Sequence, residues 1–347
     1  MHITHIIKPA GIGGIEVMLR DILSYQQTVT GLNISLFVQI STSNKREFKK
    51  FIKFKNITWC CDDYSKENLK KYWDIHLKKY GAPDLIHSHH HRDTAFFEAI
   101  MPPQPKVATL HWTYTNSRQY SFFDAVIGNS EWQANNIPPK YLGNVYIIPN
   151  FYTPLREVND SDISKIKKRA KCDDNTFIFG AIGRFTYQKG FDTLCRAFRI
   201  ANIENSRLII VGDSDNIKEK NDIINSAAND KRIFFPGFYE NPSAFFHSFD
   251  CFVLSSRFES FGLVLTEAMS IGLPCIASRT YGPTDIIKKN PIIPQFQIDD
   301  EYELAELLRK SYNVGKKKYT YDLSDYDYTL YNKRLIKCYD EIINKKY

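Results

Sequence analysis

From Asp250 to Ser278 the chain reads Asp-Cys-Phe-Val-Leu-Ser-Ser-Arg-Phe-Glu-Ser-Phe-Gly-Leu-Val-Leu-Thr-Glu-Ala-Met-Ser-Ile-Gly-Leu-Pro-Cys-Ile-Ala-Ser. Cys251–Leu254 is a short apolar run suited to a buried strand. Ser255–Ser260 is polar and loop-like, with Arg257 and Glu259 exposed near its end. Leu263, Val264, Ala268 and Ile271 then space an apolar face for a helix over Phe261–Ser270, closed by Gly272-Leu273-Pro274. Cys275–Ala277 resumes as a strand. Glu259 therefore precedes the helix, and Glu267 stands roughly two turns away on a similar side. The amides of Ser260, Phe261, Gly262 and Leu263 would point out of the helix N-terminus, where an anion is favoured. Exposed N–H groups beside two carboxylates suit a ligand that carries both phosphates and sugar hydroxyls. The plainer alternative is a helix capped by Ser260, with Glu267 on its solvated face.

The same scheme of strand, polar loop and helix recurs along the chain, which argues for open parallel sheets with ligands at the strand carboxyl ends. Ile3–Ile7 runs into Pro9-Ala10-Gly11-Ile12-Gly13-Gly14, and a helix pattern starts at Ile15. Glycine at such a turn lets a phosphate or sugar approach the backbone. Glu16 stands where a dinucleotide fingerprint needs its third glycine, and Ile34–Ile40 ends in Ser41-Thr42-Ser43 rather than an acid, which argues against a nicotinamide cofactor. Asp84–His87 leads into Ser88-His89-His90-His91-Arg92-Asp93, and Val107–Leu110 delivers His111 to a loop. Metal is a natural question for a His-rich tract, but no Cys, Asp or Glu cluster with matching ligand spacing accompanies it. Ala125–Ile127 and Val145–Ile148 are further strands.

Polar residues from Pro154 to Lys171 read as a linker and a basic helix. Phe177–Ile182 is then a strand, followed by Gly183-Arg184-Phe185-Thr186-Tyr187-Gln188-Lys189-Gly190 and a helix over Phe191–Ala201. Arg184 offers a planar fork and Lys189 a point charge, enough to neutralise a diphosphate without a metal. Arg207–Val211 and Ile233–Phe235 are strands, Glu301–Tyr312 is helical, and Tyr328–Ile343 forms a last helix before a basic tail.

With 347 residues the chain has room for two domains. Seven cysteines, with no Cys-x-x-Cys pair, suggest neither a disulfide framework nor a zinc site. No signal peptide or membrane-spanning run is visible, so a cytoplasmic protein is expected. A net charge of +7 admits anionic substrates or an anionic membrane face. Without a zinc finger, ribonucleoprotein motif or basic arm, nucleic acid is not expected as a partner. Lys45–Lys55 mixes cations with Phe48, Phe51, Ile52 and Phe54. Such a segment suits either a membrane interface or an ordinary surface helix with its aromatic face in the core.

Gly13-Gly14, Arg184, Lys189-Gly190 and the Glu259–Glu267 pair, in this order and spacing, resemble glycosyltransferase family 4. The likeness covers nearly the whole chain and is most specific over Gly183–Gly190 and Arg257–Ala277. It implies the GT-B fold, two Rossmann-like parallel-sheet domains with a cleft between them. Residues 1–155 would form the acceptor domain and 156–325 the nucleotide-sugar donor domain. Residues 326–347 would be a helix packing back toward the first domain. It also implies a retaining transferase that moves a sugar from a nucleotide-sugar, UDP rather than GDP, to a glycan or lipid-linked acceptor. The setting would be bacterial surface polysaccharide synthesis, such as O-antigen or capsule, at the inner membrane face.

By the resemblance, Arg184 and Lys189 hold and stabilise the departing diphosphate, with Gly183 in the same loop. Glu267 binds ribose hydroxyls and Glu259 meets the transferred sugar. Ser260, Phe261, Gly262 and Leu263 line the donor, the last three through backbone N–H groups. His111 stands beside the reacting sugar, and Gly13 and Gly14 form a loop that closes toward the diphosphate. No obligatory metal or other cofactor is implied. Two departures stand out: Asn150-Phe151 replaces a commoner Pro-Asn-Gly turn, and Tyr281–Asp285 lacks the usual acidic-plus-glycine continuation. A nucleotide-sugar epimerase or hydrolase on the same fold, and a non-catalytic subunit, are the competing readings.

Overall fold

The computed structural model describes residues 1–9, 11–89, 93–112 and 117–345. Ala10 of the glycine turn, His90, His91 and Arg92 of the His-rich tract, and Lys346 of the tail lie outside the described residues. The chain divides into two compact units, residues 1–150 with 326–347, and residues 151–325.

Unit 1 holds a seven-stranded parallel sheet: β1 His2–Ile7, β2 Asn33–Ile40, β3 Ile57–Cys61, β4 Leu85–Ser88, β5 Lys106–Leu110, β6 Ala125–Gly128 and β7 Asn144–Ile147, in the order β3-β2-β1-β4-β5-β6-β7. Ile3 of β1 pairs with Ile34 of β2 on one side and Leu85 of β4 on the other. Strands buried on both faces read as continuous apolar runs rather than alternating ones, and Ile3, Ile6, Leu36, Phe37, Ile86 and Val107 are all inaccessible. Helices α1 Gly14–Gln26, α2 Thr42–Ile52, α3 Lys66–Tyr80, α4 Thr94–Ile100 and α5 Glu131–Asn135 supply the crossovers. The Ile57–Cys61 strand is an addition to the sequence reading.

In unit 2 the strands are β8 Phe177–Ile182, β9 Ser206–Val211, β10 Ile233–Gly237, β11 Cys251–Leu254, β12 Cys275–Ser278 and β13 Gln295–Phe296, all parallel, in the order β10-β9-β8-β11-β12-β13. Its helices are α6 Asp160–Arg169, α7 Phe191–Ala201, α8 Ile217–Ser226, α9 Ser243–Ser248, α10 Leu263–Ser270, α11 Thr284–Lys289 and α12 Glu301–Val314. The core lies where Leu194, Ala197 and Phe198 of α7 and Leu304 and Leu308 of α12 meet Phe179, Leu208 and Ile210 of the sheet. The final helix, α13 Tyr328–Asn344, packs on α1 and belongs to unit 1.

Each sheet reverses its strand order once, between β1 and β4 and between β8 and β11. At such a switch point the crossovers leave on opposite faces and open a crevice at the carboxyl ends. In unit 2 the loops leaving β8 and β11 are those that carry Arg184 with Lys189 and Arg257 with Glu259.

Helix α2 resolves the two readings of Lys45–Lys55 in part. Phe48, Ile52 and Phe54 are buried, Lys45 lies over the Trp59 ring and Arg20 over that of Phe51. Its aromatic face is thus spent on the core, while Arg46, Lys49, Lys50, Lys53 and Lys55 stay exposed. Among the described residues no helix is long and apolar enough to cross a membrane.

Candidate active site

In unit 2 the chain leaves β8 at Gly183, and the buried Phe185 anchors the loop through its N–H to the Asp213 carbonyl (2.9 Å). The Arg184 side chain is exposed and, among the described residues, its guanidinium has no ion-pair or hydrogen-bond partner. A 3-10 turn over Tyr187–Lys189 then brings Lys189 back across the loop. A Cβ on Gly183 would lie 3.4 Å from Lys189 Cε, so the lysine stem rests on this glycine. Gly190 ends the turn at φ +60°, and a Cβ there would meet the Ser255 carbonyl oxygen at 2.1 Å. Only glycine fits both the left-handed backbone and this close approach.

The loop leaving β11 crosses the first one at that point. Ser255 Oγ donates to the Lys189 carbonyl (2.9 Å), and the Arg257 N–H to the Gln188 carbonyl (2.8 Å). Lys189 Nζ ends 2.6 Å from Glu259 Oε2, with both side chains largely covered. Arg257 and Glu259 are therefore not the exposed pair that a polar loop suggests. Arg257 is 10% exposed, because Asp192 and Asp299 take its charge. Two residues outside the sequence assignment brace Glu259: its N–H donates to Thr280 Oγ1 (3.1 Å), and its carbonyl accepts from the Gly282 N–H (2.9 Å). A Cβ on Gly282 would strike that carbonyl at 2.3 Å. Thr280-Tyr281-Gly282 follows a strand of an open sheet, which was the available signal.

Ser260 does not cap the next helix. Gly262 is the N-cap of α10, at φ +102°, without a side-chain cap. The first N–H groups bonded within this terminus are those of Leu265 and Thr266, both to the Gly262 carbonyl. The N–H groups of Gly262, Leu263 and Val264 have no acceptor among the described residues. Phe261 turns its ring into the core, 3% exposed. Glu267, in the second turn, is half-buried, and its carboxylate has no hydrogen-bond or ion-pair partner among the described residues. The protein packed around its carboxyl group pushes it up to about 8. The solvated-face alternative for Glu267 does not hold. An unpaired, half-buried carboxyl beside an uncapped helix terminus is a polar site without its partner.

Unit 1 places the other sequence candidates. The Gly13 N–H donates to Glu16 Oε2 (2.9 Å), so a carboxylate of the chain itself occupies part of the α1 N-terminus. Gly14 is exposed at its first position. His111 follows β5; burial lowers its ring to about 4, and its Nε2 is buried without a hydrogen-bond partner among the described residues.

The His-rich tract has a companion that sequence distance hid. His5 of β1 meets His87 and His89, and one nitrogen of each lies within 4.8 Å of the others. Burial lowers all three, His5 to about 4, so the rings are neutral near pH 7. Gln26 then fixes the direction of the chain. His5 Nε2–H donates to Gln26 Oε1 (2.8 Å), so His5 Nδ1 accepts from His89 Nε2–H (2.8 Å). Gln26 Nε2 donates to Tyr339 Oη (3.4 Å), whose O–H donates to His87 Nδ1 (2.6 Å), leaving His87 Nε2–H for Thr109 Oγ1 (2.8 Å). These nitrogens already serve a closed hydrogen-bond chain that ties α13 to the strand ends. A metal ion would have to break into it.

That burial sets an acid limit. A base whose folded value is depressed contributes stability that is present above its unfolded value and lost as pH falls through the folded one. Desolvation is the leading cause for His5, His76, His87, His89 and His111 alike; the window runs from about pH 6.5 down to about 4 for His5 and His111 and to about 3 for His76, and His87 and His89 are lowered in the same direction. These rings are expected to lower the thermal midpoint as pH falls across that window and to contribute no pH dependence above it. A midpoint unchanged from pH 6.5 to 4.5 would contradict the neutral, buried state of these rings.

Residues 162–318 match the family model for glycosyl transferases group 1. The matched stretch lies within unit 2 and contains Arg184, Lys189, Glu259 and Glu267. LpsD of Rhizobium meliloti, a lipopolysaccharide core biosynthesis glycosyltransferase, is 30% identical over 136 residues, 39% of each chain. WclY of Escherichia coli, an O-antigen biosynthesis glycosyltransferase, is 25% identical over 244 residues, 63% of this chain and 67% of WclY. The chain spans about two fifths of the length of relatives such as LpsD. HepE of Anabaena, solved in complex with UDP and glucose, superposes with a TM-score of 0.78 at 19% identity, over 97% of this chain and 99% of HepE. At that identity the likeness speaks for the fold, which is GT-B.

Proposed function

We propose that this chain is a retaining glycosyltransferase of family 4 that takes a sugar from a nucleoside-diphosphate donor, UDP-linked rather than GDP-linked. The acceptor in this reading is a glycan or lipid-linked glycan of a bacterial surface polysaccharide. The observation that carries the reading is local to unit 2. At one switch point stand a Lys189–Glu259 pair, an α10 N-terminus without a side-chain cap, and the Arg184 guanidinium and Glu267 carboxylate, neither with a partner among the described residues. The glycosyl transferases group 1 match over this stretch, LpsD and WclY among the relatives, and UDP with glucose in HepE support it.

The chemistry follows from charge. When the bond from the sugar anomeric carbon to the diphosphate oxygen breaks, negative charge grows on the diphosphate and positive charge on the ring. Arg184, Lys189 and the N–H groups of Gly262 and Leu263 stabilise the first. Glu259, released from Lys189 by the phosphates, accepts from sugar hydroxyls, and Glu267 accepts from the ribose. The acceptor oxygen bonds the anomeric carbon on the face the diphosphate leaves, and its proton passes to a diphosphate oxygen. Configuration is retained and charge balances without a metal.

Thermal shift of the full chain against UDP, GDP, UDP-sugars and GDP-sugars tests donor binding, since a bound ligand raises the midpoint by mass action. Product analysis with and without a glycan acceptor then separates transfer from an epimerase, which needs none. In unit 1 the reading keeps His111 as a group that acts on substrate, and Gly13-Gly14 as a loop that moves toward it. His111→Ala is expected to lower transfer by about tenfold to 10²-fold with UDP affinity unchanged. Full activity in that variant would remove His111 from the site. Contact with anionic lipid rests on the exposed cations of α2 alone. Flotation with anionic vesicles is expected at low salt and lost at high salt, and no flotation at low salt would end that part.

A further inference from the structure

The loops that carry Lys189 and Glu259 are joined by a side chain that the donor assignment does not use. Arg257 spends its whole guanidinium on them and on their supports. Nη1 donates to the Tyr187 carbonyl (2.7 Å) and to Asp192 Oδ1 (2.8 Å), and Nη2 to Asp192 Oδ2 (2.7 Å) and Thr193 Oγ1 (3.2 Å). Nε donates to Asp299 Oδ2 (3.0 Å), and the guanidinium carbon lies 4.0 Å from the centre of the Tyr187 ring. Tyr187 opens the turn that ends at Lys189, and Asp192 lies in the first turn of α7, just past Gly190. Arg257 itself is two residues before Glu259.

We propose that Arg257 is a positioning residue that sets the register between the Tyr187–Lys189 turn and the Glu259 loop. It thereby fixes where the Lys189 ammonium and the Glu259 carboxylate stand once a donor separates them. The inference rests on the donor-site reading of unit 2. Its physical basis is the shape of the group. A planar guanidinium has five donors in a rigid fork and can hold a carbonyl, a bidentate carboxylate and a second carboxylate together. The Arg257 N–H bond to the Gln188 carbonyl and the Ser255 Oγ bond to the Lys189 carbonyl already make the loops cross. They leave the angle of crossing free, and the guanidinium removes that freedom. A lysine would keep the charge but could not span all these acceptors.

The test is UDP release from a panel of UDP-sugars by the full chain, its Arg257→Lys variant and a paired Arg257→Met, Asp192→Asn variant. The pair removes the cation together with the more covered of its two carboxylates; Asp299, the other, is 44% exposed and keeps the Thr193 Oγ1 donor (2.8 Å). A misplacement of loops this close to the chemistry is expected to lower kcat by about 10²-fold. The donor KM and UDP affinity should move by less than about threefold, because both loops remain present. Introduced into Lys189→Ala, the Arg257→Lys change should lower kcat by less than about threefold, since the Lys189–Glu259 register that Arg257 sets has already lost one of its members. Turnover of Arg257→Lys within threefold of the parent would overturn the inference, and so would a full loss that persists in the Lys189→Ala background. A parent chain that releases no UDP from any donor would overturn the donor-site reading, and this inference with it.

Discussion

Lys189→Ala is expected to lower sugar transfer by about 10²–10³-fold while the thermal midpoint moves little. Lys189 is the cation held in the loop crossing, 2.6 Å from Glu259, and the donor's phosphates are its natural replacement partner. Removing it takes away a stabilising charge where the leaving group gains one. The companion variant Glu259→Gln separates two explanations of the pair. With Glu259 neutral, Lys189 is free of its competitor, so UDP alone should bind more tightly, while transfer falls because the sugar loses its carboxylate. Weaker UDP binding in Glu259→Gln would mean that the pair is a structural ion pair, and full transfer in Lys189→Ala would remove the loop from the reaction.

The second large effect concerns Glu267 and pH. Burial pushes its carboxyl up to about 8 in the donor-free chain, so near neutral pH it holds a proton. Accepting hydrogen bonds from ribose hydroxyls requires the ionised form, so donor binding releases that proton. Apparent donor affinity is therefore expected to rise about fivefold from pH 7 to pH 8, and by about a further twofold before it levels off. Calorimetry in buffers of different ionisation enthalpy should report about one proton released per donor at pH 7. Glu267→Gln should bind donor about 10–100-fold more weakly at high pH and lose the pH dependence. For folding the sign is reversed. A carboxyl raised in the folded state contributes stability below its unfolded value of 4.5 that is lost as pH rises through about 8. Glu267 thus opposes the acid loss set by the buried histidines. A flat affinity profile in the parent chain would show that its carboxylate does not meet the donor.

What could be read from the linear chain follows from which interactions are local. Short apolar runs that end in glycine or polar loops make the strand–loop–helix alternation, the open parallel sheets and the loops at their carboxyl ends visible. Arg184, Lys189, Glu259 and Glu267 could be singled out because each sits at a fixed offset from a strand end or helix start. Partnerships across loops were not legible. Nothing near Arg257 in sequence reveals Asp192 and Asp299, which bury it, and nothing near Lys189 reveals that it pairs with Glu259. Ser260 has the composition of a cap, but Gly262 takes that place because the left-handed turn needs a residue without a side chain. Glu16 looked like a broken fingerprint, and its carboxylate caps Gly13 instead. His5 lies within an apolar strand, and only the β1–β4 pairing brings it beside His87 and His89.

The donor site of unit 2 requires that one nucleotide occupy the crossing of the two loops. The measurement that decides it most directly is a crystal structure of the full chain with UDP bound. We expect the diphosphate against Arg184, Lys189 and the amides of Gly262 and Leu263, with ribose hydroxyls on Glu267 and the Lys189–Glu259 contact opened. UDP bound elsewhere, for instance on the Gly11–Gly14 turn, with Lys189 still paired to Glu259 and Glu267 still unpartnered, would contradict it.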